Sequence, residues 1–186
     1  MKRKLFRDFK VKEVVATAVL AALVFVLLRY VSIPTPLPDT TLSVHDAITA
    51  FFAILFGADV AFLGAVIGHL FVDISSGWGI WWAWIIASGL YGLIVGIFCK
   101  FDIENGEFNK KEIIRFNIVQ SIAAVICWGL IAPVGDIVFY GEPADKVFLQ
   151  GIFVGISVIV AVGIIGTLIL KAYAGSRAQK GSLRKS

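Results

Sequence analysis

The sequence predicts an all-α integral membrane protein, a bundle of six transmembrane helices with the N and C termini both cytoplasmic. Three observations lead there. Hydrophobic residues fill 59% of the 186 positions and the mean hydropathy is +0.89, beyond the usual apolar share of a soluble domain. The apolar residues come in stretches that approach or exceed the roughly 20 helical residues needed to cross a hydrocarbon core. Six crossings also place fifteen of the seventeen Lys and Arg on one side, which is the bias of cytoplasmic loops. The chain, 1–186, then reads as a single membrane domain with a basic N-terminus (1–13) and a basic tail (171–186).

The first span is 14–31, preceded by Lys2, Arg3, Lys4, Arg7, Lys10 and Lys12. A secretory signal also begins basic, but its apolar region is short and ends at a small-residue cleavage site. Here the run is longer and ends at Leu28-Arg29-Tyr30, so it is read as a permanent span. The region 44–74 is either one long helix or a hairpin turning at Phe56-Gly57-Ala58-Asp59, and charge decides. With the hairpin, the N-terminal cluster, Lys100, Lys110, Lys111 and Arg115, and Lys171, Arg177, Lys180, Arg184 and Lys185 share the inner side. Only Arg29 and Lys146 are then left outside, whereas a single helix would place nine of the fifteen there. Each arm of the hairpin has about 15 residues, roughly 22 Å of helix. Arms that short call for bilayer thinning or shielding by neighbours. The remaining spans are 78–98, 113–132 and 147–170.

Composition and absent motifs narrow the function. The pI of about 9.1 follows from the inner-face charges and calls for no nucleic-acid partner. Cys99 and Cys127 are lone thiols with neither metal spacing nor a reason to pair. There is no G-x-x-x-x-G-K-[ST] loop for ATP, no H-E-x-x-H, no G-x-S-x-G and no Ser/His/Asp set. The chain is therefore read as a non-enzyme without a cofactor. It also lacks two matching halves with interrupted helices, which counts against a stand-alone facilitator or small secondary transporter.

The informative chemistry lies opposite the positive charge. The first outer loop, 32–41, holds three of the five prolines and cannot be helical. The second, 73–84, holds four of the five Trp, and the third, 132–143, mixes Gly and Pro with aromatics and acids. Trp and Tyr also serve as interfacial anchors, but a one-sided cluster with Gly, Ser and Asp suits a pocket for a ring-containing solute. The candidate binding residues are Pro34, Thr35, Pro36, Trp78, Trp81, Trp82, Asp136, Phe139 and Tyr140. His69 and Asp73 share one helix face. Ionisable residues at that depth are functional candidates by default, so both are expected near the pocket floor. His69 and Asp73 could ligate a metal, but His45-Asp46 is the only further donor pair, and no metal site is assigned. Trp128 is read as packing, so its loss should weaken binding less than loss of Trp81 or Tyr140. Asn117, Gln120 and Ser121 are read as interhelical contacts.

Small residues mark close helix contacts. Ala18 and Ala22 are four apart in the first span, with Thr17 and Ala21 widening the same strip. A strip of this kind allows close approach in lipid. Gly64/Gly68, Gly92/Gly96 and Gly151/Gly155 repeat the spacing and are read as internal packing.

Six spans in a short chain, the Ala18-xxx-Ala22 strip and the Leu55-Phe56-Gly57-Ala58, Gly64-xxx-Gly68 and Asp73 run together resemble the substrate-binding S components of energy-coupling-factor (ECF) vitamin transporters. The similarity covers almost the whole chain. One departure is Ala58-Asp59 after Gly57, where the family often has Gly or Pro. Ser32-Ile33-Pro34-Thr35-Pro36, Gly68-His69, Asp73 and Trp81-Trp82-Ala83-Trp84 resemble a riboflavin-type branch that includes a cobalamin-specific member. The resemblance implies a subunit of the cell membrane of a prokaryote that binds its vitamin at the outer face. It also implies two kinds of partner, a transmembrane coupling subunit and two ATP-binding subunits that spend the ATP. Ala18, Ala21 and Ala22 would be coupling residues. Cobalamin would be the cargo, with riboflavin or another heterocyclic vitamin as the alternative.

Overall fold

Capping chemistry sets the helix starts at the basic end of the molecule. Asn109 Oδ1 accepts the Lys111 backbone N–H at 3.0 Å, and Glu112 Oε2 accepts that of Asn109 at 3.2 Å. This reciprocal box satisfies two of the otherwise orphaned amides of a helix start. At the first helix Glu13 Oε2 likewise accepts the Lys10 N–H, at 3.2 Å. The computed structural model describes residues 9–37 and 40–177. Pro38, Lys2, Arg3, Lys4, Arg7, Lys180, Arg184 and Lys185 lie outside the described residues.

The described residues form six helical rods. They are α1 (Val11–Tyr30), α2 (His45–Leu55), α3 (Ala58–Ser76), α4 (Trp82–Phe98), α5 (Lys110–Tyr140) and α6 (Ala144–Gly175). Between α1 and α2 the proline loop forms a two-stranded antiparallel ribbon, β1 (Ile33–Pro34) and β2 (Thr41–Leu42), with Ile33 opposite Leu42. The fold class is all-α. By length and composition, α1, α3, α5 and α6 can each cross a membrane, while α2 and α4 are shorter apolar helices.

Three differences from the sequence expectation have physical causes. The hairpin does turn at Gly57, whose φ of 113° is open to glycine and strained for other residues. Its arms, however, are unequal, with 11 residues in α2 and 19 in α3. The fourth helix starts at Trp82 rather than 78, because Gly77 (φ 76°) and Gly79 (φ 96°) hold 77–79 out of helical geometry. Third, α5 runs through the expected loop 132–143 as far as Tyr140. Pro133 has no N–H for the α-ladder, and the wider π turn Cys127–Ile131 just before it takes up the break. A second π turn, Val162–Gly166, interrupts α6.

Packing follows the small residues. A Cβ on Gly68 would come within 2.6 Å of the Ala21 carbonyl on α1, and one on Gly96 within 2.6 Å of the Ala58 Cα. A Cβ on Gly151 would overlap the Trp128 carbonyl. Missing side chains at these positions let α3 lie on α1, α4 on α3 and α6 on α5. Thr17 and Ala21 are buried, whereas Ala18 and Ala22 are exposed. The expected strip is therefore split, and Ala21 belongs to the α1–α3 contact rather than to an outer surface.

The outward faces carry apolar rows: Ile114, Ile118 and Ile122 on α5, and Ile152, Ile156, Val160, Ile164 and Leu168 on α6. Soluble monomers rarely expose contiguous apolar surface on this scale, and a bilayer covers it. The chain is a multi-pass membrane protein. At one end Lys12 Nζ lies 3.8 Å from Glu104 Oε1 and 5.5 Å from the Phe56 ring. That contact joins the α1 start, the α2–α3 turn and the α4–α5 loop. The ribbon and the Trp segment lie at the other end.

Candidate functional site

Loop chemistry builds the cavity at the ribbon end. Thr35 pins the ribbon by donating its hydroxyl to the Thr40 carbonyl at 2.8 Å, while its backbone N–H reaches the same oxygen at 3.2 Å. Ser43 joins the ribbon to α1 and α2. Its hydroxyl donates to Leu27 O at 3.3 Å, and its oxygen accepts the His45 N–H at 3.2 Å.

Asp73, at the end of α3, organises the Trp segment. One carboxylate oxygen accepts the Trp78 indole N–H at 3.2 Å and the other accepts the Trp81 backbone N–H at 2.8 Å. Asp136 on α5 accepts the Trp84 indole N–H at 2.6 Å. Trp84 in turn stacks on Trp128, with centroids 5.7 Å apart and planes at 28°. Trp128 owes its position to the π turn in which it sits. His69 Nδ1 is 2.7 Å from Ser88 Oγ, and its Nε2 is 3.9 Å from Asp73 Oδ1. A Lys146–Glu142 pair at 3.0 Å closes the α6 side.

These groups surround one cavity of about 820 Å³. Of the residues singled out from sequence, Pro34, Thr35, Pro36, His69, Asp73, Trp78, Trp81 and Asp136 line it. Trp82, Phe139 and Tyr140 do not. Trp82 and Phe139 begin and end helices with their rings outward, 48% and 67% exposed. Tyr140 is a brace: its oxygen accepts the Trp82 N–H at 2.9 Å, its hydroxyl donates to Ile80 O at 3.0 Å, and its ring packs 4.7 Å from Trp81.

Sequence reasoning missed other lining residues, among them Arg29, His45, Asp46, Trp128 and Gln150, whereas Trp84 falls in the Trp-rich segment it marked. Asp46 carried a legible signal, an acid inside an apolar run. Trp128 carried none, because no residue pattern announces a π turn. The expectation that Trp128 is only packing is corrected, since it is both buried in the core and part of the cavity wall. Among the described residues no three His, Cys, Asp or Glu converge as metal ligands.

Comparisons with known proteins agree with this architecture. The family described as ECF-type riboflavin transporter, S component, matches residues 8–175. Proteins of Streptococcus pneumoniae strains Hungary19A-6 and CGSP14, each named UPF0397 protein, are 48% identical over 178 residues, covering 95% of this chain and 97% of theirs. The crystal structure of FolT bound with folic acid is similar in fold, with a TM-score of 0.60 at 18% identity. That match covers 87% of this chain and 98% of the FolT chain.

Proposed function

Because this chain belongs to the family of ECF-type riboflavin transporter S components, we propose that it captures a ring-containing vitamin in the ribbon-end cavity and hands it to an energised partner complex. The observation that carries this reading is the cavity itself. Aromatic faces from Trp81, Trp84 and Trp128 and the stiff proline ribbon surround a few fixed polar groups, which is how sites for small organic ligands are built.

Six crossings put the ribbon outside and both termini in the cytoplasm, so the cavity faces the medium from a bacterial cell membrane. ATP hydrolysis belongs to two ATP-binding subunits and docking to a transmembrane coupling subunit. The exposed Ala18 and Ala22 offer a smooth contact for that docking.

Cargo size follows from the volume. A cavity of about 820 Å³ falls within the roughly 300–1,000 Å³ that encloses a drug-sized ligand, and so fits a two- or three-ring vitamin. Cobalamin, the cargo implied by the branch resemblance, is several times heavier than such a vitamin and exceeds the drug-sized ligand that this volume encloses. Calorimetric titration of the detergent-purified protein with riboflavin, folate, thiamine and cobalamin tests both readings. Saturable binding of one of the smaller vitamins is expected. Binding of cobalamin alone would overturn the size argument, and binding of none would overturn the capture role.

A further inference from the structure

Most polar groups around the cavity already have partners. Asp73 holds Trp78 and Trp81, one oxygen of Asp136 holds Trp84, His69 meets Ser88, and Lys146 meets Glu142. The exceptions gather where α2 begins. Both carboxylate oxygens of Asp46 and both ring nitrogens of His45 are buried without a hydrogen-bond partner. The residues are 2% and 5% exposed. They do not satisfy each other, because His45 Nε2 stands 3.6 Å from Asp46 Oδ2, too far for a hydrogen bond. Asp136 Oδ1, the Trp128 indole N–H and Arg29 Nε are also buried and unpartnered, and all five residues line the cavity.

Unpaired buried polar groups oppose folding, and an acid at membrane depth opposes it more. A ligand that completed them would recover that loss. The character of the set is unequal. Three carboxylate oxygens are open acceptors, joined by the bare nitrogen of a neutral His45 ring, whereas the open donors are one indole N–H, Arg29 Nε–H and the one N–H of that ring. Two parallel acceptors on one carboxylate match two parallel N–H groups, as in an amidine-type edge. The Trp84–Trp128 pair, which lines the same cavity, offers flat faces for the ring that carries such an edge, and favours a cationic ring further.

We infer that Asp46 is the specificity residue of the cavity, and that the cargo is an amino-substituted nitrogen heterocycle whose N–H-rich edge lies on that carboxylate. The inference rests on the vitamin-capture reading. A ring with an oxo group at the same place sets a carbonyl oxygen against Asp46, acceptor against acceptor, and is rejected.

Thiamine and oxythiamine differ chiefly by an amino-for-oxo exchange on the ring. Titration of the unmodified protein with both, and with riboflavin, is expected to show thiamine bound about tenfold or more tighter than its oxo partner. Asp46→Asn turns one acceptor into a donor and removes the preference, while Phe139→Ala, outside the cavity, keeps it. The comparison of ligands needs no variant, so a poorly folding Asp46→Asn protein does not blunt the test. Equal binding of the two, or preference for oxythiamine, overturns the donor-edge inference. If riboflavin then binds, vitamin capture stands without it. If no compound binds, both fall.

Discussion

Asp73 ties the end of α3 to the start of α4 through two hydrogen bonds, one to a side chain and one to the backbone. Asp73→Ala leaves the Trp78 indole and the Trp81 amide without their acceptor, a loss of about 1–3 kcal/mol for each group that stays buried. A lower thermal unfolding midpoint in detergent is expected, with solute affinity down tenfold or more, and Asp73→Asn should fall between the variant and the parent. Trp84→Ala and Trp128→Ala should each weaken binding strongly in the same titration, while Trp82→Ala changes it little. Equal losses at Trp82 and Trp84 would mean the solute sits outside the cavity. How far these residues could be read in sequence depended on their setting. Pro34, Thr35, Pro36 and Trp78 stood in loops whose composition marked them. Tyr140 was misread because an aromatic near a helix end looks the same whether it faces a ligand or braces a neighbour. His45 and Asp46 were read only as poor metal ligands, since their open hydrogen-bonding capacity is a property of packing.

At the scale of elements, the two π turns explain what helical periodicity could not. The apolar pattern of α5 and α6 is continuous, so the sequence placed both helices, though it ended the first at 132 where the helix runs on to Tyr140. An extra residue in a turn leaves the hydrophobic pattern almost unchanged, yet it rotates all that follows and brings the Trp128 side chain to the cavity wall. Gly151 is the matching feature on α6, since a Cβ there overlaps the Trp128 carbonyl and crowds Pro133. Gly151→Ala should therefore destabilise the protein by about 1–3 kcal/mol through overpacking and weaken binding by displacing Trp128. Gly129→Ala, one residue beyond Trp128 and facing open space, serves as the control and should leave the unfolding midpoint and the affinity nearly unaltered. Similar effects at the two glycines would separate the α5–α6 approach from the shape of the cavity.

For the whole molecule, charge and packing give two independent tests. The six-span arrangement predicts that a cysteine placed at Gly57, or in the tail after Arg177, reacts with an impermeant maleimide only in inverted vesicles. One placed at Pro36 should react from outside in intact cells. Labelling of the tail from outside would overturn the topology. The exposed Ala18 and Ala22 predict that a double replacement by Leu blocks co-purification with the coupling subunit and leaves solute affinity within about twofold, because added bulk on a smooth strip holds a partner helix away. Normal assembly of that variant would assign the strip to lipid. Substituting Ala21 instead should lower stability, since it faces Gly68.

The shortness of α2 has a consequence for the work of transport. Its 11 residues make a rod of about 16 Å at 1.5 Å per residue, about half of a hydrocarbon core near 30 Å. His45 and Asp46 cap one end of that rod and the Gly57 turn closes the other. In the six-span arrangement a solute resting on Asp46 has therefore crossed a large part of the bilayer by diffusion alone. In that arrangement what would separate it from the cytoplasm is a septum one short helix deep, made of Phe51, Phe52, Leu55 and their neighbours. The energised step then has only to carry the solute past that septum. A leak would be expected to arise first where the septum is thinned, so replacing Phe52 with Ala should let protons or small solutes pass in reconstituted vesicles before it disturbs capture.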